Sequence, residues 1–321
     1  MSLAILFSPQ GAQAVGMGRE LAMASPAARA SFAEADAALD WPVSTLAWEG
    51  PEERLNDTRQ AQPCLVATSV ACLRALDEAL TTRGEVLAPA RVAGHSVGEY
   101  AALVAAGVLS LADAVRLVAR RGELMADAAI DGGMVAVIGL DRGAVMAVVA
   151  AAGDGDSLVV ANDNAPGQVV VSGTRDALER VQAAFHAAGA GRVIRLKVSG
   201  PFHSPLMADV GRALAAAFGA ASWRDARPAV VSNVTARPVT DAGQIRALLE
   251  RQVSSPVEWV RSVQQMVADG VDTFVECGPG SALSGMVRRI AGGVRTLHVA
   301  DVASLAVTVE ALAGAPTRAA V

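Results

Sequence analysis

The chain has 321 residues, of which 52% are hydrophobic and 18% charged, with a formal net charge of −5. This is the balance of a globular protein of about two domains, not of a disordered chain, and its acidic sign argues against nucleic acid as the main partner. Cys64, Cys72 and Cys277 are odd in number and lack metal-ligand spacing, and no apolar run is long enough to cross a bilayer. A cytoplasmic protein is expected, with no membrane association, no disulfide framework and no metal.

Leu3–Phe7 reads as a buried parallel strand. Ser8-Pro9-Gln10-Gly11-Ala12-Gln13 follows at its carboxyl end, the edge where open α/β sheets bind ligands, although Gln10 and Gln13 taken alone fit a solvated loop as well. Helical periodicity runs from about Met17 to Leu39 and again from about Gln62 to Leu80. A short strand, Ala90–Ala93, then meets Gly94-His95-Ser96-Val97-Gly98, and a helical run from Glu99 to Ala106 is stopped by Gly107. This G-x-S-x-G order between strand and helix describes a sharp turn that lifts a serine hydroxyl above a sheet, so Ser96 is a candidate nucleophile.

Ser110-Leu111-Ala112-Asp113 opens the next helix in the manner of a capping box. Asp113, Arg116, Arg120, Glu123 and Asp127 form its polar stripe, whereas Arg121 falls with Leu117, Val118, Leu124 and Met125 on the apolar one. A buried guanidinium is costly without an anion, so Arg121 snorkels, pairs with a protein carboxylate, or awaits an anionic ligand.

The rhythm then changes. Strand Gly133–Gly139, helix Asp141–Ala152, strands Ser157–Asn162 and Gln168–Ser172, helix Thr174–Ala188 and strand Arg192–Val198 give a β-α-β-β-α-β unit of ferredoxin-like type, with turns at Gly153–Asp156 and Asn164–Gly167. Afterwards α/β alternation resumes. It runs through strand Ala229–Asn233, helices Ala242–Gln252 and Pro256–Asp269, strand Thr273–Glu276, helix Ser281–Ile290, strand Thr296–Ala300 and helix Ala303–Leu312. The small, polar tail from Gly314 is expected to fray.

A serine nucleophile needs a base. His95 adjoins Ser96 and is expected to pack under the turn; His186 reads as a surface residue and His298 as a structural one. His203 lies in the Gly/Pro-bounded loop Val198–Met207, where the chain leaves the inserted unit, a position suited to face a cleft. No acid is evidently paired with it, so a serine–histidine dyad oriented by backbone competes with a triad.

These stretches, in order, resemble the malonyl-CoA:acyl carrier protein transacylases and the related acyltransferase domains of polyketide synthases. Ser8–Gln13 is similar to the family's P-G-Q-G-x-Q loop, Gln60–Pro63 to its T-Q-P step, and Gly94–Tyr100 to G-H-S-x-G-E-[YF]. Arg121–Met125 is similar to R-G-x-x-M, Asn162–Pro166 to N-x-N-x-P, Phe202-His203-Ser204 to the catalytic histidine loop, and Glu276–Gly280 to E-x-G-P-G. One departure is Pro9, which stands where the family has glycine; proline fixes φ and lacks an N–H, but the N–H of Gln10 is retained.

The resemblance implies an α/β-hydrolase-like large subdomain, residues 1–130 and 199–321, with a ferredoxin-like small subdomain, 131–198. It implies Ser96 as nucleophile, His203 as base, and the N–H groups of Gln10 and Val97 as an oxyanion hole. Arg121 would hold the malonyl carboxylate, the main-chain carbonyl of Gln252 would orient His203, and Asn162 and Gln62 would line the pocket. The implied substrates are malonyl-CoA and a phosphopantetheinylated acyl carrier protein, with no other cofactor and a monomeric enzyme. Phe202 and Val97 resemble the residues of malonyl-selective rather than methylmalonyl-selective relatives. A malonyl transferase subunit of a malonate decarboxylase, or a serine esterase or thioesterase, is the alternative. Arg192, Arg195 and Lys197, or Arg288-Arg289, could steer an acidic carrier, although each taken singly reads first as a solvated face.

Overall fold

The computed structural model describes residues 1–128, 130–153 and 155–313; Ala129, Asp154 and the tail from Gly314 lie outside them. Ten strands are described: β1 (Leu3–Phe7), β2 (Arg91–Gly94), β3 (Gly132–Ile138), β4 (Leu158–Ala165), β5 (Gln168–Thr174), β6 (Arg192–Arg195), β7 (Val230–Val231), β8 (Pro238–Val239), β9 (Thr273–Cys277) and β10 (Arg295–Val299). They form two sheets, one of order β10-β9-β1-β2-β7-β8 and one of order β4-β5-β3-β6.

In the larger sheet the first five strands run parallel, and only β8 is antiparallel, to β7. Because β1 lies inside a sheet covered on both faces, all five of its residues are buried, which is why it reads as an unbroken apolar run. Leu3, Ile5 and Phe7 enter the core on one side, and Ala4 and Leu6 join Trp259 and Phe274 on the other.

The smaller sheet is antiparallel. Val135, Val137, Val169 and Val171 from its strands pack on Val145, Val181 and Phe185 from helices Arg142–Ala152 and Arg175–Ala187, a separate core. The smaller sheet and its helices are tied to the rest of the chain at the segment just before helix Trp259–Ala268. Val257 N–H donates to Ala161 O (2.8 Å), Asp163 N–H to Val257 O (3.1 Å), and Arg142 Nη2 to Glu258 Oε1 (2.9 Å).

Several elements differ from expectation for local reasons. The helix expected over Met17–Leu39 is broken into Arg19–Ala24 and Pro26–Ala38, because the residue before a proline is pushed to extended backbone. Ser25 takes that conformation and caps the second helix, accepting from Ala28 N–H. The following long helix starts earlier, at Thr58, capped by Asp57, and carries Pro63 within it. β6 ends at Arg195 instead of Val198, and β7 is only two residues long. Helices Val43–Glu49, Glu52–Asn56 and Ala208–Ala217 lack an expected counterpart.

Candidate active site

The carboxyl ends of the adjacent strands β9, β1 and β2 bring three loops side by side: Gly278-Pro279-Gly280, Ser8–Gln13 and Gly94–Gly98. Ser96 occupies the turn between β2 and helix Gly98–Ala105 with φ of 53°, in the left-handed region that a non-glycine residue seldom adopts. Its glycine neighbours are required by contact. A Cβ on Gly94 would sit 2.0 Å from the Gly98 backbone, and one on Gly98 would sit 2.3 Å from Phe7 O. The turn is fastened from β7, where Asn233 Oδ1 accepts from Ser96 N–H (2.6 Å) and Asn233 Nδ2 donates to Gly94 O (2.7 Å).

His203, also at positive φ (59°), reaches the serine, with Nε2 2.8 Å from Ser96 Oγ. Its Nδ1 lies 3.0 Å from Gln252 O and 3.2 Å from Ser255 O, so two backbone carbonyls fix the tautomer with hydrogen on Nδ1 and leave Nε2 as acceptor. This is the dyad oriented by backbone; Asp209 is exposed and pairs with Arg212. Burial, and then the Arg121 charge, push the His203 imidazole down to about 3, so it is neutral across the physiological range and its Nε2 carries no proton.

Arg121 lies on helix Leu111–Asp127, whose cap Ser110 accepts from Asp113 N–H as its sequence suggests. The helix packs closely on Thr58–Thr82, since a Cβ on Gly122 would meet Thr58 O at 2.6 Å. The guanidinium is 1% exposed. Nη1 donates to Gln62 Oε1 (2.7 Å), and Nη2 to Ser96 Oγ (3.1 Å) and Gln252 Oε1 (3.2 Å). Nε is buried with no hydrogen-bond partner, and among the described residues no carboxylate stands within ion-pair distance of this arginine. Of the three fates open to it, snorkelling and pairing with a protein carboxylate are thereby removed.

Above the serine lies a cavity of about 430 Å³, lined in part by Gln10, Ser96, Met125, Asn162, Phe202 and His203. Asn162 and Phe202 are placed as expected. Gln62 is not: it is fully buried behind Arg121 and supports the guanidinium instead of lining the pocket. Its side chain is drawn away because the buried arginine needs an acceptor and Met125 Sδ takes the Gln62 amide (3.5 Å). Val97 and Gln252 are likewise buried off the cavity. His95 lines the cavity, with Nε2 2.8 Å from Asn164 Oδ1 and burial pushing it down to about 4. His186 is exposed, and His298 is half-buried in β10, as expected of each.

The Ser8–Gln13 loop is held by side-chain hydrogen bonds on both sides of Pro9. Ser8 Oγ donates to Pro279 O (3.3 Å), Gln10 Nε2 to Thr58 Oγ1 (3.1 Å) and Gly11 N–H to Gln13 Oε1 (2.7 Å). Glu276, at the end of β9, accepts from the N–H groups of Leu283 and Ser284, securing the next helix. Lys197 lines the cavity and Arg192 and Arg195 are exposed nearby in sequence, whereas Arg288 and Arg289 are engaged with Thr296 and with Gln168 and Pro166.

The comparison with known proteins decides what this constellation belongs to. Residues 5–311 match the family described as "Acyl transferase domain". The chain belongs to that family. Its relatives include the malonyl CoA-acyl carrier protein transacylase of Bacillus subtilis, 42% identical over 313 residues, which are 97% of each chain. An acyl carrier protein S-malonyltransferase from Vibrio cholerae superposes with a TM-score of 0.90 at 40% identity, covering 96% of this chain and 100% of that one. A malonyl-transacylase solved in complex with its type II PKS acyl-carrier protein superposes with a TM-score of 0.91 at 38% identity, covering 97% and 100%. The protein is thus an acyltransferase of mixed α/β fold, with one mainly parallel and one antiparallel sheet.

Two residues of this acyltransferase site carry no role in the sequence reading. Asn233 follows β7 at the carboxyl edge of the sheet, a position that alone marks it as facing the site. Glu99, 3% exposed, is buried beneath the serine turn; its sequence signals are a carboxylate in an otherwise apolar helix and its place in the G-H-S-x-G-E-[YF] stretch.

Proposed function

We propose that the chain transfers the malonyl group from malonyl-CoA to the phosphopantetheine thiol of an acyl carrier protein, through a malonyl ester on Ser96. The observation that carries this reading is Arg121, a buried guanidinium 3.1 Å from Ser96 Oγ with no carboxylate paired to it among the described residues. A carboxylate on the acyl group would replace neutral acceptors with an anionic one, and a neutral acyl group would not.

In the first half-reaction His203 Nε2 takes the Ser96 proton as Oγ attacks the thioester carbonyl. The N–H groups of Gln10 and Val97, which donate to no backbone carbonyl among the described residues, hold the oxyanion. His203 then returns the proton to the departing CoA thiolate. The second half-reaction repeats these steps in reverse with the carrier thiol as nucleophile. Gln252 holds His203 through its carbonyl, Asn162 lines the acyl pocket, and Phe202 closes it to a branched group, favouring malonyl over methylmalonyl. Gln62 acts behind Arg121. Nucleophile, base and anchor all come from the chain, so no cofactor beyond the two substrates is needed.

We assign the fold as an α/β-hydrolase-like subdomain, residues 1–130 and 199–321, carrying a ferredoxin-like one, 131–198. The strand order of the second sheet supports the latter, its first strand lying between the third and fourth. A monomer working in the cytoplasm fits this reading, as does the presence of no helix long and apolar enough to cross a membrane among the described residues. An esterase would leave Arg121 without a ligand; a decarboxylase subunit would share the first half-reaction and differ in its carrier. Labelled malonyl-CoA is therefore incubated with and without phosphopantetheinylated carrier proteins. Label is expected on the carrier far faster than it appears as free malonate, and release of malonate at an equal rate with no labelled carrier would overturn the reading.

A further inference from the structure

Glu99 Oε2 accepts two hydrogen bonds, from Gln252 Nε2 at 2.7 Å and from Asn233 N–H at 3.3 Å. Both donors belong to residues that grip the serine turn. Asn233 Oδ1 holds Ser96 N–H, and Gln252 Nε2 also donates to Ser96 O at 3.1 Å. Gln252 does more, since its Oε1 accepts from Arg121 Nη2 and its main-chain carbonyl from His203 Nδ1. One residue therefore touches the backbone of the serine, the ring of the histidine and the guanidinium.

A primary amide has two faces that look alike in shape and differ in chemistry. With its oxygen toward Arg121 and its NH2 toward Glu99 and Ser96 O, every contact pairs a donor with an acceptor. Turned over, the same amide would set NH2 against guanidinium N–H and oxygen against Ser96 O and the Glu99 carboxylate. Burial makes such a mismatch costly. Glu99 weighs most in the choice between the two faces, because its Oε2, at 2.7 Å, is closer than Ser96 O, at 3.1 Å, and both are acceptors that the NH2 satisfies and the amide oxygen does not.

We propose that Glu99 is a positioning residue: by accepting from Gln252 Nε2 it locks the amide with Oε1 toward Arg121, and so aims the guanidinium at the carboxylate of the acyl group. The inference rests on the malonyl-transfer reading and deepens it. Burial pushes the Glu99 carboxyl up to about 7, against the hydrogen bonds from Gln252 and Asn233 and the nearby Arg121 charge. Either protonation state leaves Oε2 able to accept.

The role is separated from mere support of the turn by comparing two acyl donors on purified full-length protein. Malonyl-CoA needs Arg121; p-nitrophenyl acetate, a neutral ester, reads only Ser96 and His203. Glu99→Gln keeps an oxygen acceptor, and kcat/KM for malonyl-CoA is expected to stay within about threefold of the unsubstituted protein. Glu99→Met fills the space without an acceptor. Its kcat/KM for malonyl-CoA is expected to fall roughly 10- to 100-fold, the range of one buried charge-assisted hydrogen bond, with acylation by the neutral ester changed less than about threefold. Should Glu99→Met fail to fold, Glu99→Ala, which removes the acceptor without adding bulk, is expected to give the same split. Equal loss for both donors, no loss for either, or Glu99→Gln as impaired as Glu99→Met overturns the inference. The unsubstituted protein is tested for its malonyl adduct alongside. An adduct there without the split refutes the Glu99 role alone, and no adduct there refutes the malonyl reading as well.

Discussion

Replacing Arg121 with methionine separates its role as a ligand from its role in folding. The side chain is 1% exposed and donates to Gln62 Oε1, Ser96 Oγ and Gln252 Oε1, all uncharged acceptors. A malonyl carboxylate held bidentately would contribute two charge-assisted hydrogen bonds, each about 1.5–3 kcal/mol, together about 3–6 kcal/mol in a desolvated site. At about 1.4 kcal/mol per factor of ten, Arg121→Met should lower kcat/KM for malonyl-CoA by roughly 100- to 20,000-fold. Stability responds differently. Removing a buried charge that lacks an ion-pair partner is favourable, while Gln62 Oε1 and Gln252 Oε1 each lose a donor at about 1–3 kcal/mol, so the two effects offset to within about 2 kcal/mol. The assay pairs transfer kinetics for malonyl-CoA and acetyl-CoA with urea unfolding. Acetyl transfer is expected to hold or rise, because a neutral acyl group no longer faces an unpaired guanidinium. Malonyl kcat/KM within threefold of the parent, or equal loss for both acyl groups, would refute the assignment of Arg121 to the carboxylate.

The depressed His203 value makes a pH prediction: NMR of the ring should show a neutral imidazole well below its ordinary pKa of 6.5, titrating near 3, and a transition at 6.5 would contradict the burial argument. The sign for stability follows, since between those values the unfolded chain binds the extra proton. The contribution of His203 is complete above 6.5 and is lost as pH falls toward 3. Gly98→Ala places a Cβ 2.3 Å from Phe7 O, a backbone atom that cannot move without the sheet, and should cost about 3 kcal/mol in urea unfolding. A loss under about 0.5 kcal/mol would show that the turn does not require the close approach.

Much of this site is legible in sequence because its chemistry is carried by local patterns. The G-x-S-x-G turn shows in five residues, and its two glycines prove to be demanded by contacts of 2.0 and 2.3 Å. Arg121 betrays itself by standing on the apolar stripe of a helix whose period is strong. The backbone orientation of His203 is a different case: Gln252 and Ser255 are brought to its ring by a helix end some fifty residues away, and no pattern near His203 encodes that. Gln62 was expected in the pocket and lies behind the arginine, since which of several nearby amides a buried guanidinium recruits is a matter of packing. Asn233 and Glu99 are contacts across elements. They become visible only when the end of β7 and helix Gly98–Ala105 are set side by side. Helix boundaries failed where one residue serves two helices, as Ser25 does before Pro26.

The most direct test is the mass of the protein after brief exposure to malonyl-CoA, followed by mapping of the modified peptide. The predicted result is a single malonyl group on Ser96, absent from Ser96→Ala and formed far more slowly by His203→Ala. An undiminished malonyl adduct on Ser96→Ala would contradict the central claim.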